Sequence, residues 1–89
     1  MVLLNTDVVK LKILKTLYNV QTEISMNNLR VKIGVVNYYT VSRNIEFLEL
    51  MGFVKIDKKV IETRVYNFIS LTNKGKKFTI NEILKNGEI

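Results

Sequence analysis

Apolar residues recur every three to four positions between residues 6 and 20, which is the spacing of an α-helix. Thr6 or Asp7 can cap the start of this helix. At about 100° per residue, the apolar positions fall on two roughly opposite stripes. The first stripe consists of Val9, Ile13, Leu17 and Val20, and the second of Leu11, Leu14 and Tyr18. One stripe can face the core of the domain. The second needs another partner, for which a second copy of the chain is the simplest candidate.

A second helix is predicted after a short extended segment, residues 22–25. Ser25 is a typical N-cap for it. Gly34 is placed to end it, because glycine readily adopts the left-handed conformation that follows a helix C-terminus. One face of this helix is apolar and carries Met26, Leu29 and Ile33.

The third predicted helix has two different halves. It begins at Asn37, another typical N-cap, and ends at Gly52. Its narrow inner face is apolar and carries Val41, Ile45 and Leu48, with Met51 at the edge. The opposite side of its front half offers hydroxyls and a guanidinium, from Tyr39, Ser42 and Arg43. Phe47 and Leu50 also fall on the outward side, where the pattern assigns them no neighbour.

Two segments rich in β-branched and aromatic residues, 53–59 and 64–71, are predicted to be strands. Residues 60–63 form the tip between them, so the pair is a β-hairpin. A last helix follows, capped by Thr72 or Asn73, and its apolar side is formed by Ile80, Ile83 and Leu84. Glycine at position 75 is expected to weaken its first turn.

The composition limits the classes of function that the chain can have. With 89 residues, of which 47% are hydrophobic, it is expected to form one domain over residues 1–89 with a small core. It has no cysteine and no histidine, which excludes disulfides, the usual zinc sites and nucleophile–histidine catalysis. The eight carboxylates are scattered, so we expect no enzyme, no metal and no cofactor. No apolar run reaches the roughly 18 residues that span a bilayer, so we expect a cytoplasmic protein without a membrane partner.

The formal net charge of +6 is concentrated in one segment. Residues 53–77 carry seven basic and two acidic side chains, whereas residues 1–52 carry six basic and four acidic ones. A basic patch is the expected footprint of a polyanionic partner such as a nucleic acid. A soluble, lysine-rich surface without such a partner would give the same count.

Three stretches together suggest a family: ISMNNLRVKIGVVNYYTVSRNIEFLELMGFVKI, the hairpin after it, and LTNKGKKF. They resemble the winged helix-turn-helix DNA-binding domains of bacterial and archaeal transcription regulators. TVSRNIEFLELMGFV is similar to the recognition helix and the first wing strand, and LTNKGKKF to the junction after the wing in relatives of the MarR and PadR regulators. The resemblance covers about residues 22–78 and is greatest to the minimal winged-helix proteins of archaea, their viruses and plasmids. It implies an α+β fold with a three-helix core, a β-hairpin wing and an additional C-terminal helix.

The resemblance also implies double-stranded DNA as a partner, with the recognition helix, residues 37–51, in the major groove and the wing, residues 57–65, on the backbone. Arg43 can then donate two hydrogen bonds to a guanine, and basic residues outside that helix can position the protein on phosphates. The expected DNA contacts are Asn37, Tyr38, Tyr39, Thr40, Ser42, Arg43, Arg30, Lys32, Lys58, Lys59 and Arg64.

Some of these contacts have structural alternatives. Tyr38 lies near the core side of its helix by angle. Arg43 can pair with Glu46, three residues on. The adjacent lysines at positions 58 and 59 can protect an edge strand from aggregation.

We further expect a homodimer, because the spare stripe of the first helix and the last helix both offer apolar surface. Its predicted interface comprises Leu11, Leu14, Tyr18, Ile80, Ile83 and Leu84. The leading hypothesis is a sequence-specific transcription regulator that represses by occlusion at a near-palindromic site. The alternatives are an architectural or partition-type protein that spreads on DNA, and a protein-interaction winged helix in the transcription machinery.

Overall fold

The computed structural model describes residues 5–35 and 37–82. Ile83 and Leu84, both expected in a dimer interface, lie outside the described residues. The helices are α1 (Asn5–Val20), α2 (Met26–Ile33), α3 (Tyr38–Leu50) and α4 (Asn73–Glu82), and the strands are β1 (Ile24–Ser25), β2 (Val54–Ile61) and β3 (Arg64–Leu71). The strands form one antiparallel sheet in the order β1-β3-β2. The expected order of elements and the α+β class are confirmed.

Side chains at the starts of α2 and α3 satisfy backbone groups that the helices leave free. The Ser25 hydroxyl oxygen accepts a hydrogen bond from the backbone N–H of Asn28 at 3.2 Å. The Asn37 side-chain oxygen accepts from the N–H groups of Tyr39 and Thr40 at 2.9 and 3.4 Å. Gly34 ends α2 in the left-handed conformation, with φ of 73°. The caps predicted from the sequence therefore fix where both helices begin.

The first helix is covered on more than one side. It contacts α2 and α3 on one side and α4 and β3 on another. Ile13, Leu14 and Leu17 are consequently buried, and Leu11 packs against the core half-buried. This corrects the prediction that Leu14 lies in a subunit interface, because at 1% exposure its side chain has no surface left for a second subunit.

The hairpin is longer than expected, because β2 continues to Ile61, whereas β3 spans the predicted Arg64–Leu71. Glu62 and Thr63 alone make the turn, with φ of 49° and 70°. Two central residues with positive φ characterise the type I′ turn, which matches the right-handed twist of a hairpin. Glycine and asparagine usually occupy such turns, so Glu62 and Thr63 do not mark the position of the turn in the sequence.

The junction between β3 and α4 is closely packed against the end of α3. The Thr72 hydroxyl donates to the Gly52 carbonyl at 2.6 Å and accepts from the N–H of Gly75 at 3.0 Å. A Cβ atom on Gly75 would lie 2.0 Å from the carbonyl oxygen of Phe53. The ring of Phe53 also stacks on Phe78, with centroids 4.5 Å apart. Gly75 thus allows α4 to approach the start of the hairpin, which outweighs its low helix propensity.

Across residues 5–35 and 37–82, the structure contains no helix that is both long and apolar enough to cross a membrane.

Candidate nucleic-acid interface

The front of α3 presents an arginine that is already oriented. Arg43 Nη1 donates a hydrogen bond to Tyr39 Oη at 3.1 Å, and the guanidinium carbon lies 5.6 Å from the centroid of the same ring. Both side chains are exposed, Tyr39 at 64%. In the described part of the chain Arg43 makes no ion pair with Glu46, so the alternative pairing is not the one adopted. The guanidinium keeps further N–H donors for a ligand.

The other α3 residues that were expected to contact DNA differ in exposure. Tyr38 is 48% exposed and does not lie in the core. Thr40 and Ser42 are half-buried, and the backbone carbonyl of Thr40 accepts a hydrogen bond from the Asn44 side chain at 2.7 Å. Asn44 itself is buried at 6% exposure. Asn37, Tyr38, Tyr39 and Arg43 are therefore the more accessible of the expected contacts on this helix.

A groove lies between the start of α3 and the hairpin, where Tyr38 and residues 65–67 of β3 both line it. The start of α2 lines it as well, which brings Asn27 and Asn28 into the same groove as Asn67. Arg30 Nη2 donates to Asn27 Oδ1 at 3.1 Å, which ties one expected phosphate contact to the edge of this groove. Uncharged amides can donate to phosphate oxygens.

These amides were not among the predicted DNA contacts, because they are uncharged and belong to two elements that only the tertiary fold brings together. Lys10 on α1 was not predicted either. Lys10 lines a shallow depression with Tyr39, Arg43 and Phe47, and its ammonium lies 4.7 Å from the centroid of the Phe47 ring. The basic surface therefore extends from α3 onto α1, and Phe47 supports the lysine as a cation–π partner.

The two faces of the hairpin differ in charge. The inner face is the side of the sheet on which Val54 and Ile69 are buried. Toward the tip of the hairpin, this face carries Lys58, Val60, Val65 and Asn67. The outer face consists of Lys55, Asp57, Lys59, Ile61, Arg64, Tyr66, Phe68 and Ser70. Alternation of side chains along each strand and the strand register fix these two sets.

Both lysines of the outer face have acidic partners. Lys55 pairs with Asp57 at 3.5 Å, and Lys59 pairs with Glu23 beside β1 while its ammonium lies 4.9 Å from the Phe68 ring centroid. Lys58 projects from the inner face instead. Of the two neighbouring lysines, Lys58 is thus the better placed to contact a phosphate, whereas the sequence predicted a DNA contact for both.

The family model of the winged helix DNA-binding domain matches residues 9–85. The chain belongs to this winged helix family. The match covers all of the elements described from β1 to α4 and most of α1. A search of curated proteins returned no match.

Within this winged helix domain, α3 has the position of a recognition helix and the β2–β3 hairpin has that of the wing. We call the groove lined by Asn27, Asn28 and Asn67 the amide groove. Because the domain is a DNA-binding one, the exposed front of α3, the amide groove and Lys58 form a candidate DNA surface. Lys32 is exposed on α2, and Arg64 is exposed beside the turn of the wing. The acidic side chains of residues 5–35 and 37–82 form no cluster that could hold a metal ion.

Proposed function

We propose that this winged helix protein is a sequence-specific, double-stranded DNA-binding transcription regulator. The observation that carries the proposal is the pair of Tyr39 and Arg43 on the exposed front of a capped recognition helix. A helix fits the B-DNA major groove, and its front residues reach the edges of the bases. Arg43 would read a guanine through two parallel hydrogen bonds to O6 and N7.

Two groups of candidate phosphate-binding side chains beside α3 support this placement. Lys10 shares a depression with Tyr39 and Arg43, and the amide groove shares Tyr38 with the start of the helix. Glu46 and Glu49 are exposed toward the end of α3 and would repel phosphates. The charge distribution therefore favours entry of only the front half of the helix into the groove.

We further propose that the protein acts as a homodimer and represses by occluding a promoter. Tyr18 and Ile80 line one concave surface between α1 and α4, and Ile80 is 44% exposed. A twofold dimer would separate the recognition helices by about 34 Å, one turn of DNA, and would predict a near-palindromic site. The sequence of the junction after the wing supports a relation to the MarR and PadR regulators. We propose that the protein is one of the minimal winged-helix proteins of archaea, their viruses or plasmids.

The experiment that tests this function is a titration against mixed-sequence duplex DNA at several salt concentrations, followed by selection of a preferred site from a random duplex pool. We expect affinity to fall steeply with salt, because each neutralised phosphate releases a counterion. We also expect one short protected site on the selected DNA.

The outcomes separate the candidate functions. A protected region that grows with protein concentration would favour a protein that spreads along DNA. No binding at low salt would overturn the proposal and leave a protein-interaction role.

A further inference from the structure

The outer face of the sheet carries aromatic side chains although no described helix covers it. The helices pack on the inner face, where Val54 and Ile69 are buried, and every side chain of the outer face is exposed or half-buried. A sheet face that meets water ordinarily carries polar residues. Here it carries two rings, Tyr66, which is 38% exposed, and Phe68, which is half-buried. The core does not account for these rings.

Arg64, Tyr66 and Phe68 form a row along β3, because alternate residues of a strand point to the same face. Neighbouring members of the row are separated by about 6.8 Å, twice the rise per residue of a strand. This is also twice the distance of about 3.4 Å between successive nucleotides of one strand in a DNA duplex. The row therefore matches a strand whose bases are pulled apart, and it does not match a stacked duplex.

The two rings offer different surfaces to a base. Tyr66 has an open ring beside Lys59, its cross-strand partner. Phe68 has the Lys59 ammonium 4.9 Å from its ring centroid, so an apolar surface and a positive charge lie together. Proteins that bind single-stranded nucleic acid combine the same two components, since bases stack on aromatic rings and cations follow the phosphates.

The outer face has a small positive charge. Its basic residues are Lys55, Lys59 and Arg64, and the acidic groups are Asp57 on the face and Glu23 beside it. Arg64 forms no ion pair with any described residue. The pairs of the two lysines are exposed, and exposed pairs contribute little stability, so a phosphate can replace either carboxylate. Stacking is therefore expected to contribute more than charge on this face.

We propose that the outer face of the sheet binds single-stranded DNA. One unpaired base stacks on Tyr66, the next meets Phe68 beside Lys59, and Arg64 contacts a phosphate. Every base has a π-face, so this site does not select a sequence. The inner face of the same hairpin carries Lys58 of the candidate DNA surface, and a DNA strand opened beside a bound duplex is thus the nearest ligand. The site lies apart from α3 and goes beyond the proposed recognition of duplex DNA.

The test is a titration of the full chain with a fluorescent oligodeoxythymidylate of about 12 nucleotides, a length within the usual site sizes. Tyr66→Val keeps the strand preference but removes the ring. We expect it to lower the affinity about tenfold and to leave the salt slope unchanged, because no charge is lost. Tyr66→Phe keeps the ring and should recover most of the affinity. Arg64→Gln should lower the salt slope by about 0.7, the value of one phosphate contact on a single strand.

Tyr38→Leu is the matched control, because it removes an exposed tyrosine from the front of α3. We expect it to weaken binding to the selected duplex and to leave binding to oligothymidylate unchanged. Tyr66→Val should do the reverse. A urea midpoint close to that of the wild type shows that Tyr66→Val is folded.

Each other outcome overturns the proposal. No binding of the wild type to oligothymidylate at low salt, or unchanged affinity in Tyr66→Val, would exclude the stacking site. Equal losses of duplex and single-strand binding in Tyr66→Val would show one shared surface. Tighter binding to oligouridylate would assign the face to RNA, and a lower mass of Tyr66→Val in solution would assign it to association between proteins. Failure of the proposed function is distinguishable, because the wild type would then bind the oligomer but no duplex.

Discussion

At the residue scale, the contact that defines the recognition helix is the hydrogen bond from Arg43 to Tyr39. The sequence places both side chains on the front of a helix, but it cannot reveal that they touch, since Glu46 was an equally close partner for the arginine. Arg43 contacts Tyr39 instead of Glu46 because the ring of Tyr39 lies alongside the guanidinium. Tyr39 is therefore a positioning residue in the proposed interface.

Tyr39→Phe should loosen base preference at the position that Arg43 reads. The substitution keeps the ring but removes the oxygen that accepts from the guanidinium, so Arg43 samples more orientations. We expect specific binding to weaken by about 0.5–1.5 kcal/mol and binding to mixed-sequence DNA to stay unchanged. Competition titrations against single-base variants of the selected site measure both. Arg43→Ala is the reference, with an expected loss of about 1–3 kcal/mol. An unaltered preference in Tyr39→Phe would remove the positioning role.

Gly75 has a structural role opposite to the one that its helix propensity predicts. Helix propensity counts a glycine there as a weakness, but the close approach of Phe53 requires it. Gly75→Ala should lower the free energy of unfolding by about 2 kcal/mol or more, because the new Cβ meets a backbone oxygen rather than a movable side chain. Urea denaturation measures the loss. Gly34→Ala is the control, since a Cβ there meets open space and only the positive φ is penalised, at about 1 kcal/mol. An equal or smaller effect of Gly75→Ala would contradict the packing argument.

At the element scale, hydrophobic periodicity and capping residues were enough to locate the helices. The tip of the wing was predicted at residues 60–63, but the turn consists of Glu62 and Thr63 alone. Ser25 and Asn37 form the expected caps because their partners are only two or three residues away. β2 extends two residues further than predicted because Val60 and Ile61 favour extended backbone, and because a type I′ turn can be imposed on residues that seldom form one. Capping residues thus predict contacts within two or three residues of themselves, whereas the position of the turn is determined by the pairing of β2 with β3.

The unusual turn of the wing gives a stability prediction. Glu62 and Thr63 both have positive φ, which is costly for side chains with a Cβ and most of all for a β-branched one. Replacing both by Asn-Gly should stabilise the protein by about 1 kcal/mol, measured as a shift of the urea midpoint at constant slope. The control E62N/T63A keeps the strain at the second position and should gain less. A destabilised Asn-Gly variant would mean that the turn is not of this type.

At the scale of the whole molecule, the second apolar stripe of α1 has two possible explanations that a sequence cannot separate. It could be covered by the chain itself or by a second subunit. The structure shows the first explanation for Leu14, which is covered by the subunit's own core. Exposed apolar surface elsewhere includes two places that could meet a second subunit. One is Ile80 on α4, and the other is the end of α3, where Leu50 is 87% exposed beside Phe47.

The proposed dimer can be tested at these two places. Ile80→Ser should lower the mass in solution from that of a dimer to that of a monomer, because it removes apolar surface beside Tyr18 where the interface is proposed. Leu50→Ser is the matched control, as it removes a more exposed side chain at the other site. Light scattering over a range of concentrations measures both variants. If Leu50→Ser alone dissociates the protein, the interface lies at the end of α3. That position would also explain why Glu46 and Glu49, which would repel phosphates, occupy the rear of a DNA-reading helix. A monomeric wild type would instead remove the expectation of a near-palindromic site, because one subunit reads one half-site.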